Sequence, residues 1–323
     1  MQQLKQIVTR ILEAQPDIRS VFFVGCGASR ADLYPAYYFL TENARRLRAS
    51  IHTANEFNYA TPVSVDETAV VITCSLSGTT PESAKATTVA KMRGAHTIAV
   101  THEPGSPITK DADDTVVFAW DDSYSSKEDK TLKVLMLAAE LLHQTEGYDA
   151  YPQMAEAMER IYGAIDQAVT SVLPDAERFA QEHKDMKMLY VTSSGAMQEV
   201  AFSFSACLMM EMQWIASAFF NDGDFFHGPF EMVEKDVPYL LLMNDGKTRA
   251  MDSRTLAFLQ RFDAKVTLID AKDFGLGQIV AKEVIDYFNP VILSPVIRIY
   301  AEQLAIARSH PLTKRRYMWK LEY

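Results

Sequence analysis

Four hydroxyls surround one glycine in Ser75-Leu76-Ser77-Gly78-Thr79-Thr80, and Pro81 follows at once. Such a loop holds an anion. Its hydroxyls and backbone N–H groups donate, glycine lets the chain approach closely, and the positive end of a helix faces the charge. A Ser/Thr-rich turn that ends in an ordinary N-cap has the same composition. The second candidate is Glu211, the one charged residue between Val200 and Phe220. In a helix, Cys207, Leu208, Trp214 and Ile215 flank it, so burial should raise its pKa toward that of a general base near neutral pH. The bland alternative is a structural carboxylate satisfied by an arginine from elsewhere. The third candidate is His227, in the loop from Asp222 to Glu231, which is bounded by glycine and proline and rich in aromatic rings. A histidine there can move protons, although a lone histidine is as readily structural, and a metal would need further ligands at suitable spacing. No metal site and no cofactor is expected.

These residues need elements to position them. Val21–Val24 reads as a strand that ends in Gly25-Cys26-Gly27-Ala28-Ser29, followed by a helical pattern from Ala31 to Leu47. Ala69–Thr73 is a second strand leading into the hydroxyl loop, with Thr80 as N-cap, Pro81 at the first helical position and Gly94 closing the helix. Thr97–Val100 and Thr115–Phe118 read as further buried strands, and Lys130–Gln144 as an amphipathic helix. The same layout returns about 167 to 170 residues later: Met188–Val191 before Thr192-Ser193-Ser194-Gly195, and Tyr239–Met243 before Asn244-Asp245-Gly246-Lys247-Thr248. The expected fold is therefore α/β, two repeated doubly wound parallel-sheet subdomains with linking helices. Residues 1–150 form the first half, 151–185 the linking helices and 186–323 the second half. The second loop keeps its glycine but loses the serines, so the first half is expected to hold the anion. Gly25-Cys26-Gly27-Ala28-Ser29-Arg30 partly matches a dinucleotide fingerprint, with Glu56 as the ribose acid, but Arg30 stands where the third glycine belongs.

A chain of 323 residues with net charge -10 repels nucleic acid and anionic membranes, which leaves a small molecule as the expected partner. Cys26, Cys74 and Cys207 are too few and too scattered for a disulfide framework. The chain shows no export signal, and its longest weakly charged stretch, Val200–Phe220, is broken by Ser203, Ser205, Glu211 and Gln213. A cytoplasmic protein is expected.

The hydroxyl loop, the Glu211 helix and Phe226-His227-Gly228-Pro229 together resemble the sugar isomerase (SIS) family, whose members bind phosphosugars with a Ser-x-Ser-Gly-x-Thr loop. The resemblance covers residues 20–323. Within the family, Met210–Ile215, Asp224–Glu231, His310-Pro311-Leu312 and Arg315–Lys320 look like the deglycases of phosphorylated Amadori products, of the fructoselysine 6-phosphate and fructoseaspartate 6-phosphate types. The resemblance implies that Glu211 transfers the proton and His227 assists ring opening. It implies that Ser75, Ser77, Gly78 and Thr80 hold the phosphate with Gly27 and Ser29 close by, and that Lys320 approaches the sugar. Asp224 departs from the pattern, where glutamate is expected, and this leaves the identity of the amine open. A ketosamine would yield glucose 6-phosphate and a 2-amino-aldose adduct fructose 6-phosphate. The resemblance also implies a homo-oligomer with the site shared between subunits, and Phe219, Phe220, Phe225, Phe226 and Phe230 are expected to present apolar surface to the partner. The alternatives are a phosphosugar aldose-ketose isomerase, an amino-sugar 6-phosphate deaminase and a non-catalytic sugar-phosphate sensor. A glutamine-dependent synthase is disfavoured, since no glutaminase segment precedes residue 20.

Overall fold

Parallel pairing dominates the computed structural model, which describes residues 2–322. The chain divides into two compact units, one ending at Tyr162 and the other beginning at Gly163. The division falls inside the helix Tyr151–Ser171, and a second helix, Leu173–His183, follows it.

The first unit carries β1 (Ser20–Gly25), β2 (Arg48–Thr53), β3 (Ala69–Cys74), β4 (His96–Thr101) and β5 (Asp114–Val117), all parallel in the order β2-β1-β3-β4-β5. Every residue of β1 and β3 is buried, as continuous apolar runs in the middle of a parallel sheet require. The strand order reverses between β1 and β3. Loops leaving the carboxyl ends of these neighbours turn to opposite faces, and the crevice between them is where such sheets take ligands. The two candidate loops, after Gly25 and after Cys74, flank that crevice.

The second unit repeats the plan with β6 (Met188–Ser193), β7 (Ala216–Asn221), β8 (Pro238–Met243) and β9 (Lys265–Asp270), parallel in the order β7-β6-β8-β9. Its core includes the helix Ile285–Ala307, which packs on Leu173–His183. By length and composition this helix could cross a membrane, yet 67 % of its apolar window is buried inside the protein, so it serves as a core helix.

Two expected elements differ. The helix read over 31–47 is two pieces, Gly27–Ala31 and Tyr34–Asn43, and β2 follows. The long helix through Val200–Phe220 ends at Gln213, because Trp214 adopts a left-handed backbone (φ 57°), and β7 occupies the rest. Both missed strands are sheet edges, only part-buried, so no apolar run announces them.

Candidate active site

In the hydroxyl loop, Ser75 is buried and its hydroxyl lies 3.0 Å from that of Thr80, while the hydroxyls of Ser77 and Thr79 lie 2.7 Å apart on the exposed side. Thr80 occupies the N-cap position of Pro81–Met92, but its side chain turns to Ser75 instead of capping the helix. Gly78 has φ +67°, and a Cβ there would meet Ser106 Oγ at 1.9 Å, so only glycine lets the loop pass. The strand-β4 side clamps the loop: Leu76 O accepts from His102 N at 2.9 Å and Thr101 Oγ1 at 3.1 Å, and Gly78 O accepts from Ile108 N at 3.0 Å. These bonds fix the shape of the loop.

Across the crevice, Gly27 is exposed at φ +51° and Ser29 bonds the Cys74 thiol. Burial pushes that thiol up to about 12, so it stays neutral. Lys130, for which the sequence carries no signal, is buried, ion-paired with Asp32 and close enough to act on Cys74. A lysine at the start of an apolar helix gives no signal of such a place.

The equivalent loop of the second unit is already occupied by the chain's own acceptors. Asp286 Oδ1 accepts from Lys247 N at 2.9 Å, and Asn289 Oδ1 accepts from Asp245 N at 2.8 Å. A Cβ on Gly246 would fall 2.1 Å from Asp286 Oδ1. An internal carboxylate and an internal amide therefore accept from the backbone of the second unit's loop.

Glu211 lies near the end of Ser203–Gln213, which is wound as a π-helix. Eleven residues of i→i+5 winding are rare, and such turns concentrate at functional sites. Glu211 Oε1 pairs at 2.8 Å with Nη2 of Arg315, whose side chain is 9 % exposed against 26 % for Glu211. Burial raises the Glu211 pKa, and the Arg315 charge and hydrogen bond oppose that rise. The arginine partner foreseen by the structural alternative is thus present, beside a half-buried carboxylate whose burial it partly offsets. Lys320 Nζ donates to Arg315 O at 2.6 Å, so the tail lysine belongs to the same cluster.

His227 is exposed, and its backbone N–H donates to Asp224 O at 2.9 Å. No hydrogen bond joins it to Glu211 among the described residues. Gly228 beside it has φ +140°. The aromatic rings of this loop pack within their own unit: Phe225 is fully buried, and Phe226 and Phe230 meet Phe258 at 5.3 and 5.8 Å. Phe219, Phe220, Phe226 and Phe230 are part-buried, so packing within the unit covers some of the apolar surface expected to meet a partner. Asp222, at the root of the loop, is buried against Asp252. Burial and the Asp252 charge raise it to about 8, against the Thr255 and Thr192 hydroxyls. Burial raises Asp252 as well, but Asn244 N at 2.9 Å and the Ser194 hydroxyl donate to it and oppose that rise, so Asp222 carries the proton of the pair.

The profile of the SIS domain family matches residues 17–132. Fructosamine deglycase FrlB of Bacillus subtilis (strain 168) is 36% identical over 306 residues, covering 95% of this chain and 93% of its own. Fructoselysine 6-phosphate deglycase of Escherichia coli (strain K12) is 23% identical over 93% of this chain and 86% of its own. A solved Salmonella typhimurium LT2 structure, provisionally described as a phosphosugar isomerase, superposes with a TM-score of 0.96 at 38% identity, covering 99% of this chain and 96% of that one. The repeated parallel sheets, the hydroxyl loop at the first switch point and these likenesses agree: the chain belongs to the SIS domain family, in its fructosamine deglycase branch.

Proposed function

We propose that this chain is a soluble deglycase that takes a 6-phosphorylated adduct of fructose with an amino acid's amine and, with water, releases glucose 6-phosphate and the free amino acid. The observation that carries the reading is Glu211, a carboxylate half-buried at the end of a π-helix, raised in pKa by burial and paired with Arg315, which opposes that rise. In the open-chain ketosamine, the amine nitrogen is on C1 beside the C2 ketone. Glu211 removes a proton from C1, the C1–H electrons form the C1–C2 double bond, and the ketone oxygen gains a proton to give an enaminol. Returning the proton to C2 leaves a C1–nitrogen Schiff base. Water adds to C1, the C1–N bond breaks, and the amine departs with the aldehyde of glucose 6-phosphate left behind. His227 assists ring opening, Ser75, Ser77, Gly78 and Thr80 hold the phosphate with Gly27 and Ser29 close by, and Lys320 approaches the sugar. The deglycase relatives support this assignment.

The test is Glu211→Gln, which keeps shape and removes basicity. The variant should fold and bind adduct but not turn it over, and wild type in deuterated water should release glucose 6-phosphate carrying deuterium at C2. Full turnover by the variant, with no deuterium in the wild-type product, rejects Glu211 as the base. Fructose 6-phosphate as product would move the substrate to a 2-amino-aldose adduct.

A further inference from the structure

Beside Glu211 opens a cavity of about 410 Å³, lined by Met210, Trp214, Ile215 and Met318 and by Arg315 and Arg316. Its two cations face one carboxylate. Arg315 is committed: besides Glu211 it donates to Leu312 O at 2.6 Å and Lys314 O at 3.1 Å. Lys320 is committed too, to Arg315 O. Arg316 meets no carboxylate among the lining residues, and its guanidinium carbon stands 4.4 Å from the centre of the Trp214 ring. That ring is itself fixed. Trp214 closes the π-helix in the left-handed region, His310 meets it edge-on at 4.5 Å, and Gln213 Nε2 donates to His310 O at 2.7 Å. Lys314 stands over the same ring at 5.1 Å.

A guanidinium fork laid on a rigid aromatic plane is organised for a flat, two-oxygen anion. In a chain of net charge -10, Arg316, an exposed cation that lines this cavity and pairs with none of its carboxylates, is a local exception to the general field. With the phosphate on the hydroxyl loop, the anion remaining in a sugar–amino acid adduct is the amino acid's carboxylate. Building on the deglycase reading, we propose that Arg316 binds this carboxylate and so selects adducts of amino acids over adducts of simple amines. Met210, Trp214, Ile215 and Met318 then receive the apolar stem between nitrogen and carboxylate.

Arg316→Met keeps the stem on Trp214 and removes the fork. Steady-state kinetics compare 6-phosphofructosyl adducts that differ only by the carboxylate: lysine against cadaverine, and glycine against methylamine. In the variant, kcat/KM for the carboxylated member should fall about 10- to 100-fold, the worth of a charged hydrogen-bond pair. The carboxylate-free member should change by less than about threefold, and Arg316→Lys should recover part of the loss. An equal loss on both members means that Arg316 serves the phosphate or the fold, and no loss on either means that it serves neither substrate half. Both results overturn the assignment and leave the deglycase reading intact. Release of hexose phosphate from none of the adducts by the wild type overturns the deglycase reading, and the assignment falls with it.

Discussion

Arg315 and Glu211 lie 2.8 Å apart, and this contact ties the last turn of the chain to its candidate base. Two opposing forces act on the carboxylate: burial favours its neutral form, and the guanidinium favours the charge. A base must be ionised to accept a proton, so Arg315 keeps Glu211 usable at lower pH. Arg315→Met leaves the burial and removes the opposing charge, so the Glu211 pKa rises. The acid limb of kcat/KM should move to higher pH, and Arg315→Lys should move it less. Arg316, Lys314, His310 and Tyr317 surround the same segment and remain in each variant. A uniform loss of activity at every pH, with the limb unmoved, would mean that Arg315 acts only as a structural brace.

The hydroxyl loop should respond in two separable ways. Ser77→Ala and Thr80→Ala each remove a donor to a dianion, which should weaken substrate binding by about 1.5 to 3 kcal/mol. Inorganic phosphate should compete with substrate in the wild type and less in the variants. Gly78→Ala adds a left-handed backbone cost of about 1 to 2 kcal/mol and a clash with Ser106, so it should lower Tm as well as raise KM. Unchanged KM in both hydroxyl variants would remove the phosphate from this loop.

Asp222 makes stability depend on pH. An unfolded aspartate has a pKa of about 3.9, whereas in the folded chain Asp222 is raised to about 8. The folded state therefore binds the extra proton, and this contribution to stability is complete below about pH 4 and lost progressively as pH rises toward about 8. Asp222→Asn supplies a permanent donor to Asp252. Its Tm should exceed that of wild type by a margin that widens between pH 5 and 8, as scanning calorimetry will read. Parallel Tm curves would show that the pair does not titrate in that window.

A site shared between subunits has its own signature. Mixing Glu211→Gln with His227→Asn under subunit exchange should restore activity, because some pockets then combine both intact residues. If exchange is proven and no activity returns, His227 and Glu211 serve the site from one and the same chain.

The repeat, the central strands and the hydroxyl loop were legible in the residues, because each is local. Val21–Val24, Ala69–Thr73 and Tyr239–Met243 are apolar on both faces and sit in sheet interiors, where continuous burial writes itself into composition. Glu211 was legible as a partly desolvated carboxylate, since its neighbours within a turn are apolar. The edge strands β2 and β7 were not, because Arg48–Thr53 and Ala216–Asn221 face solvent enough to read as anything else. Nor does a sequence pattern show a helix widening into π winding, which depends on the packing around it. Above all, the partners that set charge come from far along the chain: Arg315 for Glu211, Asp252 for Asp222, Asp286 for the loop at Lys247. Coulomb interactions and desolvation depend on distance in space, and only the folded chain brings those groups together.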